Sequence, residues 1–388
     1  MDISAKKESP NSLTNMPSLL YLNADMGSVF ESQVAHLLNS LSETKQFSRL
    51  ILLCGVKGKN ENARVLKSLQ KSGVEVAFFK HYPNFPFYNR LQQREIGKAL
   101  MNLNLDSNCT IHIRGELLAS QALKPIVQAS HELEKVIVDV RGAALEEITL
   151  YFKGAFWKKF LKEINYKIAL SRLKRFRRIT AVSESLKDYL VHSWAIKNEN
   201  ISVVHCLAGE EFNFDEAKRK KTRESLRISE DTKLLVFSTG GNAGWQNTNT
   251  LKAIISERWT LLNLSKEQIH EPQVITRYIP YEEVSEYLNA ADVAVIFRDK
   301  TIVNKVACPV KFCEYVCCGL PVISDEGVDL IMEYIQSNQA EGIIKKPAEI
   351  HELNLDALIG SDRAFRAATA QRKFGYHTIV QQYLNLYF

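Results

Sequence analysis

The sequence predicts an α/β protein built from two doubly wound parallel sheets that face each other across a cleft. Three observations carry that prediction. Short apolar runs rich in β-branched residues alternate with stretches of helical periodicity, the pattern of strands covered on both faces. The alternation runs from residue 18 to 207, breaks over a charged stretch, and restarts at 234. With 388 residues, the chain can bury two cores of ordinary size.

Residues 1–17 carry charge but no apolar run, so they read as a disordered tail and not as a signal peptide. The first domain spans 18–207. Its strands fall at SLLYLN (18–23), RLILLC (49–54), VEVAFF (74–79), CTIHI (109–113), KVIVDV (135–140), RITAV (178–182) and ISVVH (201–205). Between the first two, Phe30, Val34, Leu37, Leu38 and Leu41 recur at helical spacing. The polar stretch 209–233 reads as a connection plus a surface helix. The second domain, 208–360, takes strands at LLVFSTGG (234–241), QVITRY (273–278), DVAVIF (292–297), LPVIS (320–324) and EGIIKK (341–346). Residues 361–388 form a terminal helical segment through Phe365, Ala368, Phe374 and Tyr383, with a bend at Gly375.

Composition narrows the class further. A chain 45% hydrophobic and 24% charged is of the soluble globular kind, and no apolar run reaches the ~20 residues of a membrane span. The seven cysteines are scattered, and CPVKFCEYVCC lacks paired C-x-x-C spacing, so buried free thiols in a reducing cytoplasm are expected. Neither G-x-G-x-x-G nor G-x-x-x-x-G-K-[ST] occurs, which counts against a dinucleotide oxidoreductase and a P-loop NTPase. The net charge of +6 is local. Residues 153–178 hold ten Lys/Arg against the single acid Glu163, a net +9, which leaves −3 for the rest. Phe156, Trp157, Phe160, Tyr166 and Phe176 are interleaved with those cations. Such a segment reads as a binder of an anionic membrane surface, with a solvated helix face as the plain alternative. Nucleic acid is not an expected partner, because no known binding module is present.

In open α/β sheets ligands bind outside the carboxyl ends of the strands, so residues just after strands are the candidates. ADMGSVFESQV (24–34) puts Gly27 in a strand-to-helix turn and Glu31 on the helix that follows. TIHIRGE (110–116) ends the fourth strand with His112 and Arg114; VIVDVRGAALEE (136–147) ends the fifth with Asp139, Arg141, Glu146 and Glu147. Groups of both signs at neighbouring strand ends suit a polar ligand, and His112 could relay a proton. An internal lattice pairing Asp139 with Arg114 or Arg141 is the bland alternative. STGGNAGWQN (238–247) places Gly240 and Gly241 before a helix, a weak phosphate cradle. NKVACPVKFCEYVCCGLPVIS (304–324) is the sharpest signal. Pro309 suits a helix's first turn, whose free N–H groups form an anion site. Arg298, Lys300, Lys305 and Lys311 surround that turn, and Glu314 on the helix could take both hydroxyls of a ribose. A surface i,i+3 pair of Lys311 with Glu314 is the alternative.

RRITAVSESLKDYL, YIPYEEVSEYLNAADVAVIFR (278–298) and residues 304–324 resemble, in order and spacing, family 4 glycosyltransferases of the GT-B superfamily. IHIRGE and VIVDVRGAALEE resemble acceptor-domain segments of its bacterial surface-polysaccharide branch. The resemblance implies two Rossmann-like domains, with a C-terminal helix crossing back to the first. It implies metal-independent, retaining transfer of a hexose from a nucleotide diphosphate sugar, a co-substrate, with no cofactor. It also implies a cytoplasmic protein, peripheral on the inner membrane face, with a lipid-linked glycan as acceptor. By position, Glu314 would hold the ribose, Lys305 or Arg298 would neutralise the diphosphate, and His112 would lie beside the sugar. The candidate set is therefore His112, Asp139 and Arg141 for catalysis, and Gly27, Glu31, Arg114 and Glu146 for the acceptor. Gly240, Gly241, Trp245, Tyr278, Arg298, Lys305, Lys311 and Glu314 are the donor set. Three departures from the family pattern stand out. Val306 replaces the first of two paired glutamates, Gln246 replaces a basic residue, and 248–273 is short enough to imply a reduced second sheet. These keep a catalytically silent partner protein in view. A sugar-nucleotide epimerase, using Asp139 and Glu146 as acid and base, is a third reading.

Overall fold

The computed structural model describes residues 16–27, 29–58, 63–239, 248–338, 342–360 and 362–388. Gly240, Gly241, Trp245 and Gln246 lie outside the described residues, as does most of the 1–17 tail.

The first sheet has seven parallel strands: β1 (Ser18–Asn23), β2 (Arg49–Val56), β3 (Glu75–Lys80), β4 (Thr110–Arg114), β5 (Val136–Val140), β6 (Arg178–Ala181) and β7 (Ile201–Val203). Their order is β3-β2-β1-β4-β5-β6-β7. Leu20 of the central β1 sits between Ile51 and Ile111 of its neighbours. Every residue of β1 is buried, because both sheet faces are covered. Leu20 and Leu22 pack on one side with Ile96 and Leu118, while Leu19 and Tyr21 pack on the other with Phe30 and Leu38.

The second sheet holds β8 (Leu234–Ser238), β9 (Thr260–Leu264), β10 (Val274–Thr276), β11 (Val293–Ile296), β12 (Val322–Ser324) and β13 (Gly342–Ile344). All are parallel, in the order β10-β9-β8-β11-β12-β13. The reduced sheet expected from residues 248–273 is corrected: β9 is present in that segment. Its sequence, TLLNL, breaks the apolar pattern at buried Asn263, whose side-chain N–H donates to the Glu267 carbonyl at 2.8 Å. The helix before it does shrink, to a 3-10 segment at Thr248–Ile254. In the connection, the helix Glu216–Leu226 is capped by Asp215 and is not wholly a surface helix. Arg223 on it is fully buried, against Asp292 and the carbonyls of Ser229 and Thr232.

The chain ends with two helices. Arg363–Phe374 stays with the second domain, setting Phe374 edge-on to Phe312 at 5.7 Å. Tyr376–Tyr387 crosses back and buries Ile379, Tyr383 and Tyr387 in the layer that covers β1. Gly375 makes the break, since a Cβ there would lie 2.5 Å from the Gln371 carbonyl oxygen. The domains also meet where the Ser183 hydroxyl donates to the Val306 carbonyl at 2.6 Å. All seven cysteines are free and buried, as expected. Among the described residues no helix is long and apolar enough to cross a membrane.

Candidate functional site

Strand order reverses between β1 and β4 in the first sheet and between β8 and β11 in the second, and each reversal leaves a crevice at the strands' carboxyl ends. In the first domain that crevice is a cavity of about 470 Å³. Asn23, Asp25 and Gly27 after β1 form one side, Arg114, Gly115 and Glu116 after β4 another, and Arg141 and Glu147 after β5 a third. Gly115 has φ +95°, where a side chain is strained, and this lets β4 turn directly into the helix Glu116–Gln128. Its N–H donates to the Asp139 carbonyl at 2.8 Å.

Of the residues expected to carry catalysis, His112 and Asp139 lie away from the cavity: both have no exposed surface and neither lines it. Their strands are covered by the Tyr376–Tyr387 helix, and His112 Nδ1 shares a hydrogen bond of 2.8 Å with the Tyr387 hydroxyl. The His112 ring stacks on Tyr21, with centroids 4.4 Å apart. Asp139 is the centre of a lattice: the Arg114 and Arg141 guanidiniums each lie 3.4 Å away, and the Thr180 hydroxyl donates at 2.9 Å. Burial alone would raise its carboxyl, but Arg141, His112 and Arg114 outweigh it and hold the group well below the usual carboxylate range. Burial also lowers His112, against the pull of Asp139, so the ring is neutral at pH 7. Arg141 reaches the cavity wall, although its N–H groups are engaged by Asp139, Gln33 and Cys206. The bland lattice is what these residues form.

Gly27 and Arg114 line the cavity; Glu31 and Glu146 do not. Glu31 instead pairs with Arg64 at 2.8 Å, and Arg64 reaches Glu282 of the second domain. Glu146 sits behind the wall, accepting from the Tyr189 hydroxyl at 2.5 Å. Glu147, named with the strand-end cluster, does line the cavity, as does Tyr166 of the basic segment; Glu116 and Asp25 were not singled out from the sequence. The available signal for Glu116 was an acid opening an otherwise apolar helix, ELLASQALKPIV, directly after a strand.

In the second domain, the space between β8 and β11 is a gap of about 10 Å³ bordered by Ser238, Thr239, Arg298 and Tyr315. The Arg298 N–H donates to the Asp325 carboxylate at 3.0 Å. Glu314 is fully buried on the helix Val310–Cys317. Lys311 Nζ is 2.8 Å from one of its oxygens, and the Tyr281 hydroxyl donates to the other at 3.3 Å. Burial raises the Glu314 carboxyl, opposed by Lys311 and Tyr281. The i,i+3 pairing foreseen as the alternative is therefore present, with Tyr281 as a lid over it. Lys305 is exposed and lies 3.9 Å from Asp329; Tyr278 is exposed, with Lys266 over its ring at 4.9 Å. One helix joins the two crevices. Ala144–Tyr151 contributes Ala144 and Glu147 to the cavity, and its Tyr151 hydroxyl is 3.4 Å from Thr301, three residues past Arg298.

The basic helix Phe156–Arg172 presents Phe156, Trp157 and Phe160 to solvent, 82%, 55% and 53% exposed. Phe85 stacks on Trp157 at 6.4 Å and exposed Phe87 stacks on Phe85 at 5.5 Å, with Lys158 and Lys162 over the rings. This patch adjoins the cavity: Asn84 and Tyr166, which line it, sit beside Phe85 and on the same basic helix.

No family model matches the chain, and no curated protein matches it. Solved structures do. A glycosyltransferase from Rickettsia africae superposes with a TM-score of 0.70 at 14% identity, over 96% of this chain and 98% of its own. Anabaena Alr3699/HepE in complex with UDP gives 0.67 at 14% identity, over 95% and 99%. WaaG, a glycosyltransferase involved in lipopolysaccharide biosynthesis, gives 0.61 at 11% identity, over 95% of each. The chain has the GT-B fold.

Proposed function

We propose that this protein is a glycosyltransferase that moves a hexose from a nucleotide diphosphate sugar to a glycan acceptor. The observation that carries the reading is the pair of switch-point crevices flanking the helix Ala144–Tyr151, in a fold shared with a protein crystallised with UDP. In this reading the acceptor occupies the 470 Å³ cavity, a volume suited to a sugar or two. The donor occupies the β8–β11 side, with Glu314 released from Tyr281 to take the ribose hydroxyls. Arg298, Lys305 and Lys311 supply the positive charge that a diphosphate leaving group needs, without a metal ion. Transfer proceeds with retention at the anomeric carbon. The aromatic and basic patch beside the cavity supports a lipid-linked acceptor met at an anionic membrane surface, in the assembly of surface polysaccharide.

A thermal-shift screen against UDP, GDP, dTDP, CMP and their sugars, in EDTA, tests the reading. A nucleotide at 100 times its Kd adds about 2.7 kcal/mol. Stabilisation by one diphosphate, lost in Glu314→Ala, is the expected result. The anomeric configuration of the product, read by NMR, tests retention. One observation favours a second reading, a catalytically silent partner protein: both Glu314 oxygens are already occupied, and buried Val306 stands where the family has a carboxylate. No stabilisation by any nucleotide is the result that reading requires.

A further inference from the structure

Burying an ionisable acid is costly unless a cation or several donors compensate it. Among the described residues the other buried acids follow that rule. Asp139 has Arg114 and Arg141, Asp292 has Arg219 and Arg223, and Glu314 has Lys311. Glu116 breaks it. The residue is only 4% exposed, forms no salt bridge among the described residues, and its Oε1 is enclosed without a hydrogen-bond partner. Its own backbone N–H is the donor that the carboxyl group does have.

What surrounds Glu116 makes the placement more costly still. Glu146 and Glu147 face it from the helix Ala144–Tyr151, Tyr166 from Phe156–Arg172 and Tyr189 from Glu184–Trp194. Arg114, two residues earlier, is turned to Asp139. Burial pushes the Glu116 carboxyl up to about 7, and Glu146 and Glu147 add to the rise. The acid stands in the first turn of the Glu116–Gln128 helix, and the cavity reaches it.

We propose that Glu116 takes up the proton of the acceptor hydroxyl in the first-domain cavity. The inference rests on the glycosyltransferase reading given above. As the acceptor oxygen bonds to the anomeric carbon, the bond from that carbon to the nucleotide's distal phosphate oxygen breaks. The electron pair leaves with the diphosphate, and the hydroxyl proton passes to the Glu116 carboxylate, the residue that lines the cavity. An acid poised near neutrality inside a cavity suits that task, because it is partly ionised at working pH yet basic enough to accept a proton. Gly115, with its positive φ, is what aims the start of the helix into the cavity.

The experiment uses the full-length protein and UDP-glucose as probe, following UDP release against pH for the wild type, Glu116→Gln and Glu147→Gln. The wild-type rate should rise with pH through about 7 and then level. Glu116→Gln is isosteric, so folding and the KM for UDP-glucose should hold while kcat falls about 10²–10⁴-fold and the pH limb disappears. Glu147→Gln removes a like charge and should move the limb to lower pH. A Glu116→Gln rate within a few-fold of wild type, or a surviving limb, overturns the proposal. A second measurement does not need turnover: ¹³C-carboxyl glutamate NMR, assigned by the signal missing in Glu116→Gln. A carboxyl titrating near 7 supports the proposal, and one titrating in the ordinary glutamate range overturns it. Failure of the donor reading is seen separately, as absence of nucleotide stabilisation in the thermal screen.

Discussion

Replacing Asp139 with Asn removes one buried charge and leaves two guanidiniums facing a neutral amide. In the wild type Asp139 accepts from Arg114, Arg141 and Thr180 and has His112 Nε2 3.7 Å away, all without exposed surface on the acid. Breaking a buried ionic cluster from one side costs about 3–5 kcal/mol, because the remaining charges lose their compensation. For a unit of the first domain's size, each kcal/mol shifts Tm by about 2–4 °C, so a fall of about 6–20 °C is expected. Differential scanning calorimetry and urea titration measure it. The pH dependence gives a second check. The lattice holds Asp139 below its unfolded value, so its contribution is complete above about pH 4 and is lost as pH falls toward the depressed folded value. The amide has no such titration, so the gap between wild type and variant narrows below about pH 4. A loss under about 1 kcal/mol, or a gap constant with pH, refutes the structural reading. An unchanged Tm with abolished turnover would return Asp139 to the chemistry.

Two further outcomes follow from the geometry. Gly115→Ala places a Cβ at φ +95° and should cost about 1–3 kcal/mol by urea titration; it should also weaken whatever the cavity binds, since Glu116 is displaced with it. Replacing Phe156, Trp157 and Phe160 with Ser removes mostly exposed surface together with the Trp157–Phe85 stack, so Tm should fall by only roughly a few °C. Flotation with vesicles containing phosphatidylserine should nevertheless lose most of the bound protein, and equal binding would remove the membrane reading.

Much of the architecture was legible in the chain. SLLYLN, KVIVDV and RITAV are apolar on consecutive positions because both sheet faces are covered, and that pattern is written residue by residue. The break at Gly375 and the free, buried cysteines were equally local facts. β9 escaped because one buried asparagine, donating to a loop carbonyl, interrupts an otherwise ordinary strand. The site was half legible. Position after a strand picked out Gly27, Arg114 and Arg141, but the same rule picked His112 and Asp139, which the returning helix seals off. Whether a strand-end polar group meets solvent or a tyrosine from 275 residues away depends on long-range packing, which no local pattern encodes. Glu116 shows the converse. In sequence it is one acid among 44, ordinary at the start of a helix. Only the fold withholds a cation from it, encloses Oε1, and opens a cavity beside it. Sequence alone determined which segments form strands and helices and that both sheet faces are buried, because burial follows side-chain chemistry. Tertiary structure alone decided which charges are neutralised, because compensation depends on neighbours far along the chain.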